Sequence, residues 1–263
     1  MNAVGMATLL GIPFHPPSTE DFVFDCLFEV PGLGLCFNYI MVLLLISVVS
    51  FFVLFWVAFR RPRIVPGKFQ LAVESALEFV RNQIVMQMIG PAGLPFLPFL
   101  ATLFFFIFLG NILEVTPFVN FPLNSRLAFP LVMAVISWIV YNAVGVRRHG
   151  LLGYLKLVLF PPGAPWWLYP LLSPIEFFSV IVVRPITLTV RLTANMIAGH
   201  FLLAVFFLGT LVLLTGVPYV LGLVSFGLAV VLVGFEVFVS ALQAFIFAVL
   251  TASYIAGAMA EEH

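Results

Sequence analysis

Charged side chains are scarce in this sequence: they make up 8% of its 263 residues, while 63% are hydrophobic. A soluble domain carries about 25% charged residues, so no water-facing globular surface can be built here. Basic and acidic residues balance at 11 each, which leaves no electrostatic case for a nucleic-acid partner. Cysteine is almost missing. Cys26 and Cys36 are the only two, and they stand either as free thiols or, if that end is extracytoplasmic, as a disulfide. No metal-ligand cluster, P-loop or Gly-rich nucleotide fingerprint occurs, so neither metal nor cofactor is expected. Residues 1–35 contain no Lys or Arg and so lack the basic start of a cleaved signal peptide.

Long apolar runs fill the remainder, the mark of a polytopic membrane protein. Residues 1–37 read as a retained extracytoplasmic segment, acidic through Glu20, Asp21, Asp25 and Glu29, and residues 38–263 as one transmembrane domain. A first span is expected over about 38–59, ending in Arg60, Arg61, Arg63 and Lys68. Cytoplasmic loops collect positive charge, so that end lies inside and the N-terminus outside. Over 69–89 the period changes. Phe69, Val73, Ala76, Leu77, Val80, Ile84 and Met88 recur at helical spacing, with Gln70, Glu74, Glu78, Arg81 and Asn82 on the other face. That pattern is an amphipathic helix lying at the interface, or alternatively a soluble helix packed on a partner protein. A second span, about 96–119, carries Asn111 and Glu114; a third, about 127–146, returns to Arg147, Arg148, His149 and Lys156. Pro161, Pro162 and Pro165 with Trp166 and Trp167 mark an interfacial loop. In this topology Arg126 is the one basic loop residue on the outer side.

The last two apolar segments, about 171–215 and 219–258, are each 40 residues or more. As helices they would be roughly 60 Å long, against a hydrocarbon core of ~30 Å. Each is either two spans or one steeply tilted helix. Apart from Arg184 and Arg191, no charge occurs between Phe177 and Glu236. An Arg at the centre of a membrane helix costs about 2.5 kcal/mol or more, which makes Arg191 a functional residue by default.

Taken as antiparallel neighbours, the two segments bring their polar residues into layers. His200 lies outward of Arg191 by about 13 Å, and Glu236 outward of Gln243 by about 10 Å. Arg191 can therefore lie level with Gln243, and His200 with Glu236. At about 100° per residue, Arg184, Arg191 and Asn195 share a face, with His200 nearly opposite; Glu236, Ser240 and Gln243 share another. Arg191 can then face a partner outside the chain while His200 and Glu236 face a wettable pocket. Plainer roles compete. Arg184 can snorkel to the interface, Glu176 can be merely interfacial, Asn111 and Asn195 can bond helices together, and His200 can be a packing residue.

The run Arg191-Leu-Thr-Ala-Asn195-Met-Ile-Ala-Gly199 resembles the signature of subunit a of F-type ATP synthases of bacterial type. Gly-Asn111-Ile-Leu-Glu114 is similar to that family's Asn-x-x-acid element on the second span. Thr193 and Ala194 depart from it, where the family often has Phe and Gly. The resemblance covers about 38–263. It implies an all-α membrane protein of five spans plus the interfacial helix, its last two helices tilted steeply along a rotor ring of subunit c. It also implies a bacterial plasma membrane, a cytoplasmic C-terminus at Glu261-Glu-His263, and peripheral-stalk subunit b as a further partner.

The function implied is that of a non-catalytic stator subunit with two offset half-channels separated by a buried Arg191. A rotor carboxylate ionises beside Arg191, because a neighbouring cation favours the charged form. Arg itself does not deprotonate and so bars a direct leak. Asn195 and Gln243 would hold the guanidinium, and His200 and Glu236 would relay protons. In the family these two positions carry an acid and a His in either order. Asn111, Glu114 and Ser240 would line the outer half-channel, and Glu176 the exit. The alternatives are an Na+-coupled version of the same subunit or a self-contained secondary transporter, although the latter predicts inverted repeats that the two halves do not show.

Overall fold

In the computed structural model, residues 26–30, 35–61, 66–116, 119, 123–160, 166–214 and 219–260 are described. Glu20, Asp21, Asp25, Arg63, the prolines at 161, 162 and 165, and Glu261-Glu-His263 lie outside them, as do the side chains of Cys26, Cys36 and Trp166.

Among the described residues, five helices are long and apolar enough to cross a membrane. They are α1 (Tyr39–Phe59), α3 (Leu97–Ile112), α4 (Ala128–Leu159), α5 (Tyr169–Leu214) and α6 (Tyr219–Met259). The remaining helix, α2 (Lys68–Phe79), runs on through a π turn at Val80–Val85 to Met86–Met88. The architecture is the all-α one expected, with one addition. Strands β1 (Cys26–Val30) and β2 (Leu35–Asn38) form an antiparallel hairpin ahead of α1. Asn38 closes it and caps α1, its Oδ1 accepting from the Met41 N–H at 3.1 Å. The cap satisfies an amide that the first helical turn cannot.

The amphipathic period of α2 becomes a docked face. Val73, Val80 and Ile84 are buried, and Phe79 packs against Phe104 of α3 and Phe245 of α6 at 6.2 and 5.5 Å. The helix therefore lies on protein along this face. Phe69, Leu71 and Met88 remain exposed. Gln70, assigned by spacing to the polar face, is buried instead. It donates to Glu74 Oε1 at 2.7 Å, which satisfies its amide one turn along.

The segment over 171–215 is one helix and not two spans. Pro185 has no N–H to donate, and its ring crowds the carbonyl four residues back. A π turn at Ser179–Val183 directly precedes it, and the wider turn absorbs the misfit without ending the helix. The result is a 46-residue helix, about 69 Å long at 1.5 Å per residue. The third span behaves differently. At Gly150 the backbone takes φ 73°, a left-handed value that glycine adopts freely. The chain folds back there, laying the Tyr154 ring over Gly145 and its hydroxyl on Asn142 Oδ1 at 3.0 Å.

Helices α5 and α6 form a long antiparallel pair in a constant register. Near the tip, the Thr210 and Ser225 hydroxyls meet at 3.1 Å, and Gly222 sits so close that an added Cβ would be 2.8 Å from the Leu214 amide nitrogen. Further along, Gly199 meets Glu236, and Arg184 lies over the Tyr254 ring. The core joins Leu188, Leu192 and Met196 of α5 to Phe104 and Ile107 of α3, Tyr141 of α4 and Phe247 of α6. The bundle thus has a hairpin end, with Asn38 and the α5–α6 tip, and a basic end, with Arg60, Arg61, Arg147 and Arg148.

Candidate functional site

The site begins at a notch in α5. Gly199 has no side chain, and a methyl group there would overlap Oε1 of Glu236. The Glu236 carboxylate of α6 therefore rests where any other residue's Cβ would be, and Glu236 is only 4% exposed. The next residue, His200, is partly buried, with its Nδ1 3.7 Å from Oε1 of Glu114. That is ion-pair distance but too long for a hydrogen bond.

Glu114 reaches α5 because α3 stops early. The helix ends at Ile112, short of the expected 119, and the chain winds on in tighter turns. Amides of Glu114 and Val115 bond to the carbonyls of Asn111 and Ile112, each at 3.1 Å. Glu114 is fully buried beside His200. Asn111, on the last turn of α3, accepts from Asn124 Nδ2 at 2.7 Å. Asn124 comes from a short 3₁₀ turn, Leu123–Ser125, and it fills the space over Gly110, where a Cβ would be 3.0 Å from its amide nitrogen. Nothing in its sequence context separates Asn124 from an ordinary loop asparagine.

The expected His200–Glu236 layer is thus a cluster from three helices and a loop. His200 meets Glu114, and Glu236 lies against the residue next door. Both Glu114 oxygens, Asn111 Nδ2 and Asn124 Oδ1 find no hydrogen-bond partner among the described residues. Buried polar groups are nearly always bonded, and water bridges such sets readily. Asn124→Ala should cost about 1–3 kcal/mol, by leaving Asn111 Oδ1 unmet as well. A lower midpoint of thermal unfolding in detergent is the expected result; an unchanged midpoint would show that the bond contributes nothing.

Toward the basic end, Ser240 and Gln243 are buried on the same face of α6 as Glu236. Ser240 Oγ and Thr193 Oγ1 also lack hydrogen-bond partners among the described residues. Asn195 is half-buried. The α5–α6 register brings Arg191 to the level of Gln243, about 13 Å along the helix from His200. Arg191 is exposed, with apolar Ile186 and Val190 and the small Ala194 and Ala198 exposed near it. Among the described residues it makes no hydrogen bond or ion pair. Within this chain, then, Arg191 is not buried, against the expectation of a buried Arg: its face of α5 turns away from the core.

Two further residues stand apart. Arg184 shared a face with Arg191 by spacing, yet its guanidinium lies 4.8 Å from the centre of the Tyr254 ring, a cation–π contact onto α6. Tyr254 in turn meets the Tyr141 ring edge-on at 5.5 Å. Glu176 is half-buried near the start of α5, about 22 Å along the helix from Arg191, and is not brought to the cluster.

The sequence that builds this arrangement is similar to known proteins. Residues 40–256 match the family model described as ATP synthase A chain. A protein of Frankia alni named ATP synthase subunit a is 42% identical over 255 residues, covering 95% of this chain and 88% of that one. Its namesake in Streptomyces lividans is 39% identical over 254 residues, covering 96% and 90%. The one in Rhodococcus erythropolis is 40% identical over 271 residues, covering 99% and 96%.

Proposed function

Because this chain belongs to the ATP synthase subunit a family, the proton-translocating subunit of the membrane sector, we propose that it provides two offset half-channels divided by Arg191. The observation that carries this reading is a cation without a partner. Arg191 is exposed on an apolar, membrane-level face, about 13 Å from a buried cluster of Glu114, His200 and Glu236. A permanent charge in hydrocarbon is stable only beside a counter-ion, and this chain supplies none at Arg191 among its described residues. A carboxylate on each subunit of a rotor ring fits the need.

The steps follow from that placement. Away from Arg191 a ring carboxylate in lipid is neutral, because ionising it there is prohibitively costly. Arriving opposite Arg191, it releases its proton and pairs with the guanidinium. A proton entering from the hairpin end passes the Asn111–Asn124 pair, Glu114, His200 and Glu236, and reloads the next carboxylate. Asn195 and Ser240 lie between that cluster and the Arg191 level, and Gln243 at that level, where they would order the guanidinium and intervening water. Arg191 keeps its proton, so protons cross only by travelling with the ring. Glu176, toward the basic end, would border the opposite half-channel. Positive charge at the basic end assigns it to the cytoplasm of a bacterial plasma membrane, with the hairpin end outside. Subunit c forms the ring, and subunit b of the peripheral stalk is a second neighbour. A self-contained transporter would instead hold Arg191 against an acid of its own.

Cross-linking tests this. With Cys26 and Cys36 replaced by Ser, Ala194→Cys keeps Arg191 and offers a thiol one turn away on the exposed face. It should form a disulfide with a cysteine placed next to the ring carboxylate. No cross-link under conditions that link Ala194→Cys to nothing but lipid-exposed reagents would reject the reading.

A further inference from the structure

At the basic end, far from this cluster, α1 ends and α2 begins around a cleft of about 490 Å³. Its lining is of two kinds. Arg60, Arg61 and Lys68 are cationic; Val57, Ala58 and Phe69 are apolar. Among the described residues no acid lines it, and the three cations form no ion pair. The acid one turn into α2, Glu74, is already held by Gln70 at 2.7 Å. Arg60 folds back so that its guanidinium lies 4.8 Å from the centre of the Trp56 ring. The adjoining surface is apolar and exposed: Trp56 is 60%, Val57 52%, Phe69 49% and Leu71 52% accessible.

Three cations with no carboxylate partner among the described residues call for an anion. Free inorganic phosphate would answer them but leave the apolar wall unmatched. An acidic protein segment would also answer the charge, but Trp56 and Val57 lie on a helix long and apolar enough to cross a membrane, where acyl chains match an apolar wall better than an acidic segment does. A ligand with both an anionic head and hydrocarbon chains fits the whole surface. We propose that this cleft binds an anionic phospholipid from the leaflet at the basic end. Arg60, Arg61 and Lys68 hold its phosphodiester, and an acyl chain runs along Val57 and the exposed side of α1. The first turn of α2 adds amides from a helix start that has no side-chain cap. Such basic pockets at the ends of spans suit lipid head groups. The proposal does not depend on the half-channels.

The test uses the intact ATP synthase containing this chain, in nanodiscs of brominated lipid. The part of the tryptophan fluorescence that Trp56→Phe removes reports bromine close to the cleft. Titrated into unlabelled phosphatidylcholine, brominated phosphatidylglycerol should reach half-maximal quenching of that signal at roughly tenfold lower mole fraction than brominated phosphatidylcholine, given the attraction of clustered basic residues for anionic lipid. The preference should vanish in R60Q/R61Q/K68Q and persist in R60K/R61K. Equal quenching by the two lipids, or a preference unchanged by the triple substitution, overturns the proposal. Abolition of the preference by millimolar inorganic phosphate at constant ionic strength assigns the cleft to a soluble anion and also overturns it. So does loss of a stalk subunit from the triple variant with the lipid preference intact, since the cations would then serve a protein contact.

Discussion

Arg191→Ala is expected to abolish proton-driven ATP synthesis while leaving the complex assembled. The two halves of that expectation have separate physical grounds. Arg191 is exposed and makes no hydrogen bond or ion pair among the described residues. Truncating it therefore removes no contact on which α5 and α6 rely. Function is different. On the proposed mechanism a ring carboxylate that must ionise beside an alanine is an unpaired charge, and losing one partner of a buried pair costs about 3–5 kcal/mol, roughly 10²–10⁴-fold in rate. The measurement is ATP synthesis in inverted membrane vesicles under an imposed proton gradient, with co-purification of the other subunits as the assembly control. Near-normal synthesis in Arg191→Ala would sink the mechanism. If Arg191 divides two half-channels as proposed, the same vesicles should also leak protons faster, because the fixed cation would no longer stand between them.

The fold was largely legible because apolar runs and helical periods report directly on helices in lipid. The long last two segments, the amphipathic 69–89 stretch and the level match of Arg191 with Gln243 all follow from a fixed rise and a fixed turn per residue. What stayed hidden depends on where a helix stops or on what has no side chain. Spacing alone carried the second span through Glu114, since 113–116 contain no glycine or proline to mark an end. The stop at Ile112 is what swings Glu114 to His200. Asn124 looked like loop filler, and its partner Asn111 is set by how the chain returns over Gly110. Arg184 obeyed the helical wheel in position, but a long side chain can leave its face, and Tyr254 offered it a ring. Gly199 was visible only as a letter in a signature. Its use emerges from the carboxylate lodged against it.

That lodging supports a second large effect. Gly199→Ala adds one methyl group in the place occupied by the Glu236 carboxylate. Alanine favours a helix over glycine by about 1 kcal/mol, so α5 itself should not weaken. Any loss then reports on Glu236. An overpacked site stores about 1–3 kcal/mol unless a neighbour moves; if the carboxylate moves aside, the fold is spared and the proton step bears the displacement, about 5–150-fold in rate. Synthesis should fall by that order while thermal stability holds. The loss should also be non-additive with Glu236→Ala, because both substitutions act on one group, and Glu236→Asp, shorter by one methylene, should restore part of it. Additive losses, or a fall in stability matching the fall in synthesis, would show that the methyl group damages packing in general. The same geometry bears on exchanging His200 with Glu236. The exchange keeps the residue types but sets a carboxylate at 200 within reach of Glu114 and an imidazole against Gly199. It should therefore be poorly tolerated, and adding Glu114→Gln should recover part of the activity by removing the like charge. In the proposed relay carboxylate and imidazole alternate from Glu114 through His200 to Glu236, and that alternation would be lost with two carboxylates facing each other.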